Sequence, residues 1–349
     1  CIPFLLIGCY HIADPKLSNR SIFLSALFFA LSFCIRLQIL FIPAGIGFCL
    51  FFNKQYHKKA LVFGIAFAAA YMLTQGLFDI IYYGDPFASV KEYLRFNSDQ
   101  ANIDIQPQGP WYQYIGTVAG VVWGFPFLLL VWGYIYSFRL SFTAKMFFIA
   151  SLLFFVFHSY YSNKQERFIL PFIPLFLVLG ITGFREYYTR HRHISWLKKT
   201  MKFIFIWFLI FNTAGLLVLS FTYSKRSRVE SMVYLRKKGD VTNIIMEGDA
   251  AGLRPPLACL DKHLDLYKLP TGKSIEELEA EIKTSGKPAP NYVIMAGQAG
   301  FDKRIERLKK LFPSLEAETV IKTSFVDNLA YWLNPKHNQN EDWHIYKIK

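Results

Sequence analysis

A run of polar and charged residues, HSYYSNKQERFILPFIP, occupies residues 158–174 between two segments apolar enough to cross a membrane. Its cations are Lys164 and Arg167, and His158 lies near one membrane face. A charge at the edge of a bilayer is costly and is often functional. Ammonium and guanidinium groups in a partly dry site bind phosphate strongly, so the run predicts a site for a lipid-linked phosphate. The alternative is an interfacial loop whose cations only reach lipid headgroups.

A second group of candidates lies in the segment 79–116, which begins inside an apolar block and continues as a long polar loop. Asp79 ends that block, where an ionisable residue is a functional candidate by default; its alternative role is to end a helix by meeting water or a tyrosine hydroxyl. Asn97 offers an amide, and Trp111 and Tyr112 offer flat rings. Sugar hydroxyls bind amides and carboxylates while sugar faces stack on rings, so the loop suits a carbohydrate. Aromatic residues at this depth are equally typical of the membrane interface.

Long apolar segments must position these residues. Of 349 residues, 53% are hydrophobic and 18% aromatic, and the apolar ones form blocks rather than amphipathic stripes. This composition predicts an α-helical polytopic membrane protein. The short segments on either side of Arg36 also fit a re-entrant hairpin with Arg36 at its tip. The candidate spans cover residues 1–10, 21–35, 37–52, 60–82, 118–137, 146–160, 169–184 and 203–222.

The formal net charge of +14 is distributed in a way that favours a membrane topology over nucleic-acid binding. Cytoplasmic loops of membrane proteins are enriched in Lys and Arg. Alternate loops carry thirteen of these residues between them, at 11–20, 53–59, 138–145 and 185–202. The intervening loops, at Arg36, 83–117 and 158–168, carry five. We therefore expect the second group of loops and the polar tail to lie on the non-cytoplasmic side. That side is the periplasm for a bacterial inner membrane, or the lumen for the endoplasmic reticulum membrane.

Residues 224–349 have the composition of a soluble domain, in contrast to the transmembrane region 1–223. Strand-like and helical patterns alternate in this tail and predict a small α/β domain on the non-cytoplasmic side. The tail has no catalytic signature, and the five cysteines of the chain imply neither a disulfide framework nor a zinc site. The predicted strands cover 241–246, 292–296, 319–325 and 343–348, and the predicted helices cover 275–282 and 301–312.

Several of these motifs, taken in order, resemble glycosyltransferase family 22, the Alg9-like α-mannosyltransferases of the GT-C superfamily. The resemblance covers residues 20–185 and depends on the order and spacing of the motifs. One departure is Asn163-Lys164-Gln165, where family members commonly read His-Lys-Glu. The matching motifs are the hydrophobic pair around Arg36, the loop with Asp79, Tyr82, Tyr83 and Gly84, then Asn97, the run Gly109-Pro110-Trp111-Tyr112, and the run Lys164-Gln165-Glu166-Arg167-Phe168-Ile169-Leu170-Pro171.

The resemblance implies an inverting glycosyltransferase that moves a sugar, in the family mannose, from a polyprenyl or dolichyl phosphate to a hydroxyl of a glycan or glycolipid acceptor. No metal or other cofactor is expected. Under this interpretation Lys164 and Arg167 bind the donor phosphate, with Arg36 and His158 as neighbours. The sugar and acceptor side is assigned to Asp79, Asn97, Trp111, Tyr112 and Glu166.

The catalytic base has no candidate in this sequence. In the family, the proposed catalytic carboxylate lies in the first external loop, after the first membrane helix. This chain opens at Cys1 within an apolar run that lacks the basic region and cleavage site of a signal peptide. We therefore expect an amino-terminally truncated fragment whose base lies upstream of Cys1.

Two other classes of function stay open from the sequence. A transporter or flippase of lipid-linked saccharides also needs external cations and interfacial aromatic residues, but the sequence lacks the paired, Gly- or Pro-broken helices of an inverted repeat. The second alternative makes the membrane region an anchor and the tail the active domain, and the tail's lack of a nucleophile, metal or cofactor pattern counts against it. Formation of a new glycosidic bond distinguishes the enzyme from the transporter.

Overall fold

The computed structural model describes residues 1–104, 108–248, 250, 255–270, 272–297, 300–333 and 340–349. It contains two compact units, Cys1–Asn212 and Thr213–Lys349. The first unit is built from helices and the second from a sheet with helices. The division falls inside the last apolar helix, whereas the sequence predicts a boundary at residue 224.

Apolar helices form the first unit, because in lipid a helix satisfies its own backbone hydrogen bonds. Ser18 and Ser141 begin two of them, each side chain accepting a hydrogen bond from a backbone N–H of the first turn. From the amino terminus to residue 221 the helices are α1 (Ile2–Ile12), α2 (Asn19–Ile35), α3 (Phe41–Phe52), α4 (His57–Tyr71), α5 (Leu77–Tyr83), α6 (Ala88–Ser98), α7 (Gln100–Asp104), α8 (Gln113–Val121), α9 (Phe125–Ser137), α10 (Phe142–Tyr160), α11 (Glu166–Ile169), α12 (Phe172–Arg190) and α13 (Ser195–Phe221).

Three stretches of the described chain are long and apolar enough to cross a membrane: His57–Tyr83, Phe142–Tyr160 and Ser195–Lys238. The first comprises α4, a π-helical turn at Met72–Gly76, and α5. Shorter apolar helices occur in α1, α2 and the stretch Leu37–Phe52. The predicted apolar segments are therefore largely helical, and their composition is consistent with a membrane protein.

The segment 118–137, which the sequence predicts as one span, is broken. Its two helices, α8 and α9, meet at an angle of 109°. Trp123 and Gly124 both have positive φ, 59° and 79°, a backbone region that glycine adopts freely and that a bulky residue adopts only when its surroundings impose it. The carbonyl of Trp123 accepts a hydrogen bond from the indole N–H of Trp207 at 3.0 Å, and this contact helps to fix the break.

Glycines allow α9 and α12 to pack with their backbones in contact. A Cβ atom at Gly133 would lie 2.0 Å from the carbonyl oxygen of Gly180, and one at Gly183 would lie 1.9 Å from that of Gly133. Membrane helices associate through such close packing of small residues because lipid offers no hydrophobic driving force between them. A larger residue at these positions would separate the two helices.

The loops of the first unit gather at its two ends. At one end, the ammonium group of Lys59 donates a hydrogen bond to the backbone carbonyl of Leu17, which joins loops 53–59 and 11–20. At the other, which we call the Arg36 end, the turn after α2 and the loops 83–117 and 158–168 contact one another. For these loops, the contacts agree with the grouping that loop charge predicts. The side of the membrane that each end faces stays a prediction.

The second unit contains a sheet in the order β2-β1-β3-β5-β4, with strands β1 (Ile244–Gly248), β2 (Tyr267–Leu269), β3 (Tyr292–Ala296), β4 (Leu315–Ile321) and β5 (Trp343–Ile348). The first three strands run parallel, and β5 runs antiparallel to β3 and β4. All residues of β1 and β3 are buried, as expected of central parallel strands covered on both faces. The helices are α14 (Arg226–Lys238), α15 (Ile275–Thr284), α16 (Phe301–Leu311) and α17 (Phe325–Leu333).

This sheet confirms the predicted α/β character of the tail. β3 and β5 have the predicted bounds, and β1 and β4 are displaced by a few residues from theirs. The sequence does not predict β2, because its three residues carry too little periodicity to indicate a strand.

Candidate functional site

A cavity of about 690 Å³ lies at the Arg36 end of the first unit. Four segments line it: the end of α2 with the turn that follows, the π-helical turn, α6, and the loop that runs into α11. Two guanidinium groups, several amides and two hydroxyl groups form its polar lining. These polar residues are Arg36, Gln38, Gln75, Ser89, Tyr93, Asn97, Asn163, Gln165 and Arg167.

Two arginines meet in this cavity, as the sequence predicts. Arg36 ends α2 in an extended conformation, and its Nη1 donates a hydrogen bond to the backbone carbonyl of Arg167 at 2.6 Å. Both guanidinium groups lie against the ring of Phe168, at 5.7 and 5.6 Å from its centroid. Burial, and then the positive charge of Arg167, lower the pKa of Arg36. Two like charges held this close favour the binding of an anion between them.

No acidic side chain neutralises this pair within the described part of the chain. No carboxylate there lies within 4.0 Å of either guanidinium group. Arg36 is half-buried and Arg167 is exposed, so both are open to a ligand in the cavity. The cavity can therefore offer its positive charge to a phosphate.

Lys164 occupies a different position from the two arginines. It is 4% exposed and does not line the cavity. Its Nζ donates hydrogen bonds to the backbone carbonyls of His158 (2.8 Å), Ser159 (2.7 Å) and Tyr161. Burial lowers the pKa of this ammonium group. Carbonyls at the end of a helix lack helical partners, so this contact favours a role in ending α10 over a direct contact with the donor.

The Gly109-Pro110-Trp111-Tyr112 motif packs against this lysine. The backbone N–H of Gly109 donates to the carbonyl of Ser162 at 3.3 Å, and a Cβ at Gly109 would lie 2.9 Å from Cγ of Lys164. The buried Tyr114 donates from its hydroxyl to the carbonyl of Gln165 at 3.1 Å. The absence of a side chain at Gly109 therefore lets the two loops approach and fixes the backbone that leads to Arg167.

Asp79 is 1% exposed and supports the cavity from behind its lining. Its carboxylate accepts hydrogen bonds from the backbone N–H of Ser89 (2.9 Å), the Ser89 hydroxyl (2.6 Å) and Nε2 of Gln75 (2.8 Å). Ser89 is in the first turn of α6, where a carboxylate satisfies free N–H groups and the helix dipole. Asn97, on the same helix, lines the cavity, and its backbone carbonyl accepts a hydrogen bond from the hydroxyl of Tyr161 at 2.8 Å.

The remaining candidates lie outside the cavity. Trp111 and Tyr112 are 66% and 57% exposed, and their ring centroids are 5.8 Å apart in an edge-to-face contact. Glu166 is exposed at the start of α11. His158 is 3% exposed, stacks on the ring of Phe154 at 4.1 Å, and uses Nδ1 in a hydrogen bond to the carbonyl of that residue. The structure thus brings Arg36, Asn97 and Arg167 together and leaves the others around them.

Comparison with known proteins identifies the family of this chain. The sequence profile of the Alg9-like mannosyltransferase family matches residues 2–244. The chain belongs to this family. A curated relative is GPI mannosyltransferase 3 of Candida glabrata, which is 22% identical over 248 residues, an alignment that covers 66% of this chain and 39% of the relative. The chain therefore spans well under half the length of that protein.

The family match of this Alg9-like protein includes the first unit except Cys1, and every residue that lines the cavity. It extends beyond the residues 20–185 on which the sequence resemblance depends. The second unit, apart from its beginning, lies outside the match.

Several residues that line the cavity are not singled out by the sequence. Gln38, Gln75 and Tyr93, three residues with polar side chains, line the cavity. One signal could have found the glutamines, since both interrupt apolar segments, where a polar residue is costly. Tyr93 is one of twenty tyrosines in the chain and gives no such signal. Among the described residues, no group of three or more His, Cys, Asp or Glu side chains is arranged to hold a metal ion.

Asp79→Asn should destabilise the packing of α6 in this Alg9-like protein. Both carboxylate oxygens accept hydrogen bonds, and an asparagine leaves one donor facing its amide nitrogen. We expect the free energy of unfolding to fall by about 1–3 kcal/mol, measured by thermal unfolding of the full-length protein in detergent. Asp85→Asn, which removes an exposed ion pair with Lys91, is the matched control and should leave the unfolding temperature unchanged. Equal effects of the two substitutions would contradict the supporting role of Asp79.

Proposed function

We propose that the protein is a membrane mannosyltransferase that moves a mannosyl group from a polyprenyl or dolichyl phosphate donor to a hydroxyl of a glycan or glycolipid acceptor, with inversion at the anomeric carbon. The observation that carries this proposal is the pair Arg36 and Arg167, which lacks a carboxylate partner among the described residues and faces a cavity at the end of an apolar helical unit. Membership of the Alg9-like mannosyltransferase family supports the sugar and the reaction class.

The cavity has the size and the chemistry for a sugar phosphate. Its volume of about 690 Å³ lies within the range of roughly 300–1,000 Å³ that is typical of ligand pockets. The guanidinium groups offer several N–H donors in a fixed geometry that matches phosphate oxygens. The amides of Gln38 and Asn97 can bind sugar hydroxyls, and Gln75, whose amide nitrogen already donates to Asp79 and Ser89, offers its carbonyl oxygen as an acceptor.

In the proposed reaction, the acceptor oxygen attacks the anomeric carbon from the face opposite the phosphate. The bond between the anomeric carbon and the phosphate oxygen breaks, and the electron pair leaves with the polyprenyl phosphate. Arg36 and Arg167 stabilise the charge that develops on this leaving group. The acceptor hydroxyl loses its proton to a base, and the described lining of the cavity contains no carboxylate for that step.

In this proposal Lys164 does not contact the donor but positions the residues that do. It holds the end of α10 and the loop that carries Arg167, while Asp79 holds α6 with Asn97. The exposed rings of Trp111 and Tyr112 remain available to an acceptor that approaches from outside the cavity. We place the Arg36 end and the second unit on the non-cytoplasmic side of the endoplasmic reticulum or bacterial inner membrane, because the loops 11–20, 53–59, 138–145 and 185–202 carry most of the Lys and Arg of the loops and are therefore expected to be cytoplasmic.

A transfer assay tests the proposed function. Membranes that contain the full-length protein are incubated with radiolabelled polyprenyl-phosphate mannose and a crude fraction of lipid-linked or free glycan acceptors. We expect label in a larger glycan, released as mannose by an α-mannosidase. Absence of product with mannosyl and glucosyl donors alike, together with unchanged labelled donor appearing across a sealed vesicle, would contradict the enzyme and favour a transporter.

A further inference from the structure

The exposed apolar side chains of the polar tail concentrate on one short helix, α17 (Phe325–Leu333). Beyond residue 223, the described part of the chain exposes six large apolar side chains: Val320 and five residues of α17. Trp332 is 76% exposed, and Phe325 and Leu333 are more than half exposed. An apolar patch on a soluble surface usually marks a place where a partner binds.

The apolar residues of α17 follow the helical period. Leu329 is four residues after Phe325, and Trp332 is three residues after Leu329, a spacing that places all three on one side of a helix. The opposite side carries Asp327, which is buried. This arrangement is the inverse of an ordinary surface helix, which packs its apolar side inward and leaves its charges in water. We call the exposed side the α17 face, formed by Phe325, Leu329, Trp332 and Leu333.

Asp327 attaches α17 to the turn that follows the last apolar helix, α13. Its carboxylate accepts hydrogen bonds from the backbone N–H groups of Lys225 at 2.7 Å and Arg226 at 3.2 Å. Lys225 has a φ of 62°, a left-handed conformation that is costly for a residue with a Cβ atom. The two hydrogen bonds help to hold it. The connection between α13 and α14 is therefore a fixed turn, with α17 as part of it.

This attachment keeps α17 close to the edge of the membrane. The apolar stretch 203–222 is about 30 Å long as a helix, the thickness of the hydrocarbon layer. Phe221, the exposed last residue of α13, then lies near the boundary of that layer. Lys225 is the fourth residue after it, and four residues span about 14 Å at most. The end of α13, this turn and α17 all belong to the same compact unit, so the bilayer surface is within reach of α17.

The two cations at this turn fit the charge of lipid headgroups. The side chains of Lys225 and Arg226 are exposed, and no carboxylate of a described residue lies within 4.0 Å of either. Cations beside an apolar face that contains Trp and Phe are typical of helices that lie in the membrane interface. Trp is itself enriched at that depth.

We propose that the α17 face binds the surface of the phospholipid bilayer that α13 crosses, and that Lys225 and Arg226 bind the phosphate groups of the same lipids. Burial of the apolar side chains among the headgroups removes them from water and stabilises this position. The second unit is then held against the membrane at α17 as well as at the end of α13. The proposal goes beyond the transfer reaction and does not depend on it.

Photo-crosslinking in the full-length protein identifies what covers the α17 face. Trp332→p-benzoylphenylalanine places a light-activated group on this face, and the protein is reconstituted in vesicles of phosphatidylcholine and phosphatidylglycerol. After illumination, we expect mass spectrometry to show a phospholipid joined covalently to the α17 peptide. Lys283→p-benzoylphenylalanine is the control and should give no adduct above background. Lys283 is exposed on α15, which packs against β2, and β2 and β4 are the two opposite edges of the sheet.

A second substitution tests the apolar contact itself. A carboxylate within the α17 face is costly in lipid, so Leu329→Glu combined with the crosslinker at position 332 should lose the phospholipid adduct. Leu329→Phe keeps the face apolar and should retain it. The unfolding temperature in detergent shows that both variants fold, and we expect it to be unchanged because Leu329 is exposed.

A crosslink from position 332 to a peptide, of this chain or of a second copy, would show that protein covers the face and would overturn the proposal. Equal phospholipid adducts at 332 and 283, none at either, or an adduct at 332 that survives Leu329→Glu would overturn it too, because the contact with lipid would then be unspecific or absent. Sugar transfer is not measured here, so failure of the proposed function and failure of this proposal are distinguishable.

Discussion

Arg167→Gln is expected to lower kcat/KM for the polyprenyl-phosphate donor by about 10²- to 10³-fold, the loss typical when one group that stabilises a developing anion is removed. Arg167 is exposed to the cavity and makes no ion pair with a described acidic residue, so its charge is available to the donor phosphate. Glutamine keeps part of the length and polarity of arginine and removes only the charge and the guanidinium geometry. Lysine at 167 should restore part of the activity, because it returns the charge without the paired N–H donors.

The matched control for this substitution is Arg95→Gln. Arg95 is an exposed residue of α6 whose guanidinium pairs with Glu92 at 2.7 Å. It lies at the same end of the first unit, the Arg36 end, but does not line the cavity. We expect kcat/KM of the Arg95→Gln variant to stay within a factor of about two of that of the unsubstituted protein, because an exposed ion pair contributes little energy. Comparable losses in the two variants would show that the effect is one of surface charge and would contradict a phosphate contact at Arg167.

Lys164→Met should have a comparable effect on activity for a different reason. Methionine matches the length of the lysine stem but leaves the carbonyls of His158, Ser159 and Tyr161 without their shared donor. Each buried group that loses its partner costs about 1–3 kcal/mol, so we expect the unfolding temperature to fall by several degrees along with transfer activity. Lys91→Met, which removes an exposed lysine paired with Asp85, should change neither.

Thermal unfolding separates the two roles that Lys164 can have. If Lys164 positions the loop, its substitution lowers both the unfolding temperature and the transfer activity, and protease cleavage within 158–168 becomes faster. If Lys164 only binds phosphate, its substitution lowers the affinity for the donor and leaves the unfolding temperature of the free protein unchanged. An unchanged unfolding temperature in Lys164→Met, together with lost activity, would therefore contradict the positioning role and indicate that Lys164 contacts the donor phosphate.

The sequence predicts the helices well because a long apolar segment in lipid can satisfy its own backbone hydrogen bonds only as a helix. It predicts the position of β3 and β5 for a related reason, since both are short apolar runs bounded by polar residues. The break between α8 and α9 is different. Its apolar character continues through Trp123 and Gly124, and the positive φ values there come from contacts made in three dimensions. Gly124 and Pro126, which stand at the start of α9, are a local signal of a new helix, but the contact with Trp207 cannot be read from spacing.

The candidate site also contains residues whose positions the sequence predicts and residues whose roles it does not. Arg36 and Arg167 are both cations beside apolar segments, and this property alone predicts that they share an end of the protein. Lys164 and Asp79 have the same sequence signature, a charge next to a membrane helix, yet both are buried and hydrogen-bonded to nearby backbone groups. Sequence spacing cannot distinguish a charge that faces a ligand from one that holds the fold. That distinction depends on where three separate loops meet.

The most direct test of the central claim is an electron cryomicroscopy structure of the full-length protein in lipid with bound polyprenyl phosphate. We expect density for the phosphate within hydrogen-bonding distance of the guanidinium groups of both Arg36 and Arg167, in the cavity that Gln38, Gln75 and Asn97 also line. A phosphate bound at the opposite end of the helical unit, beside His57 and Lys58, with the cavity at Arg36 empty, would contradict it.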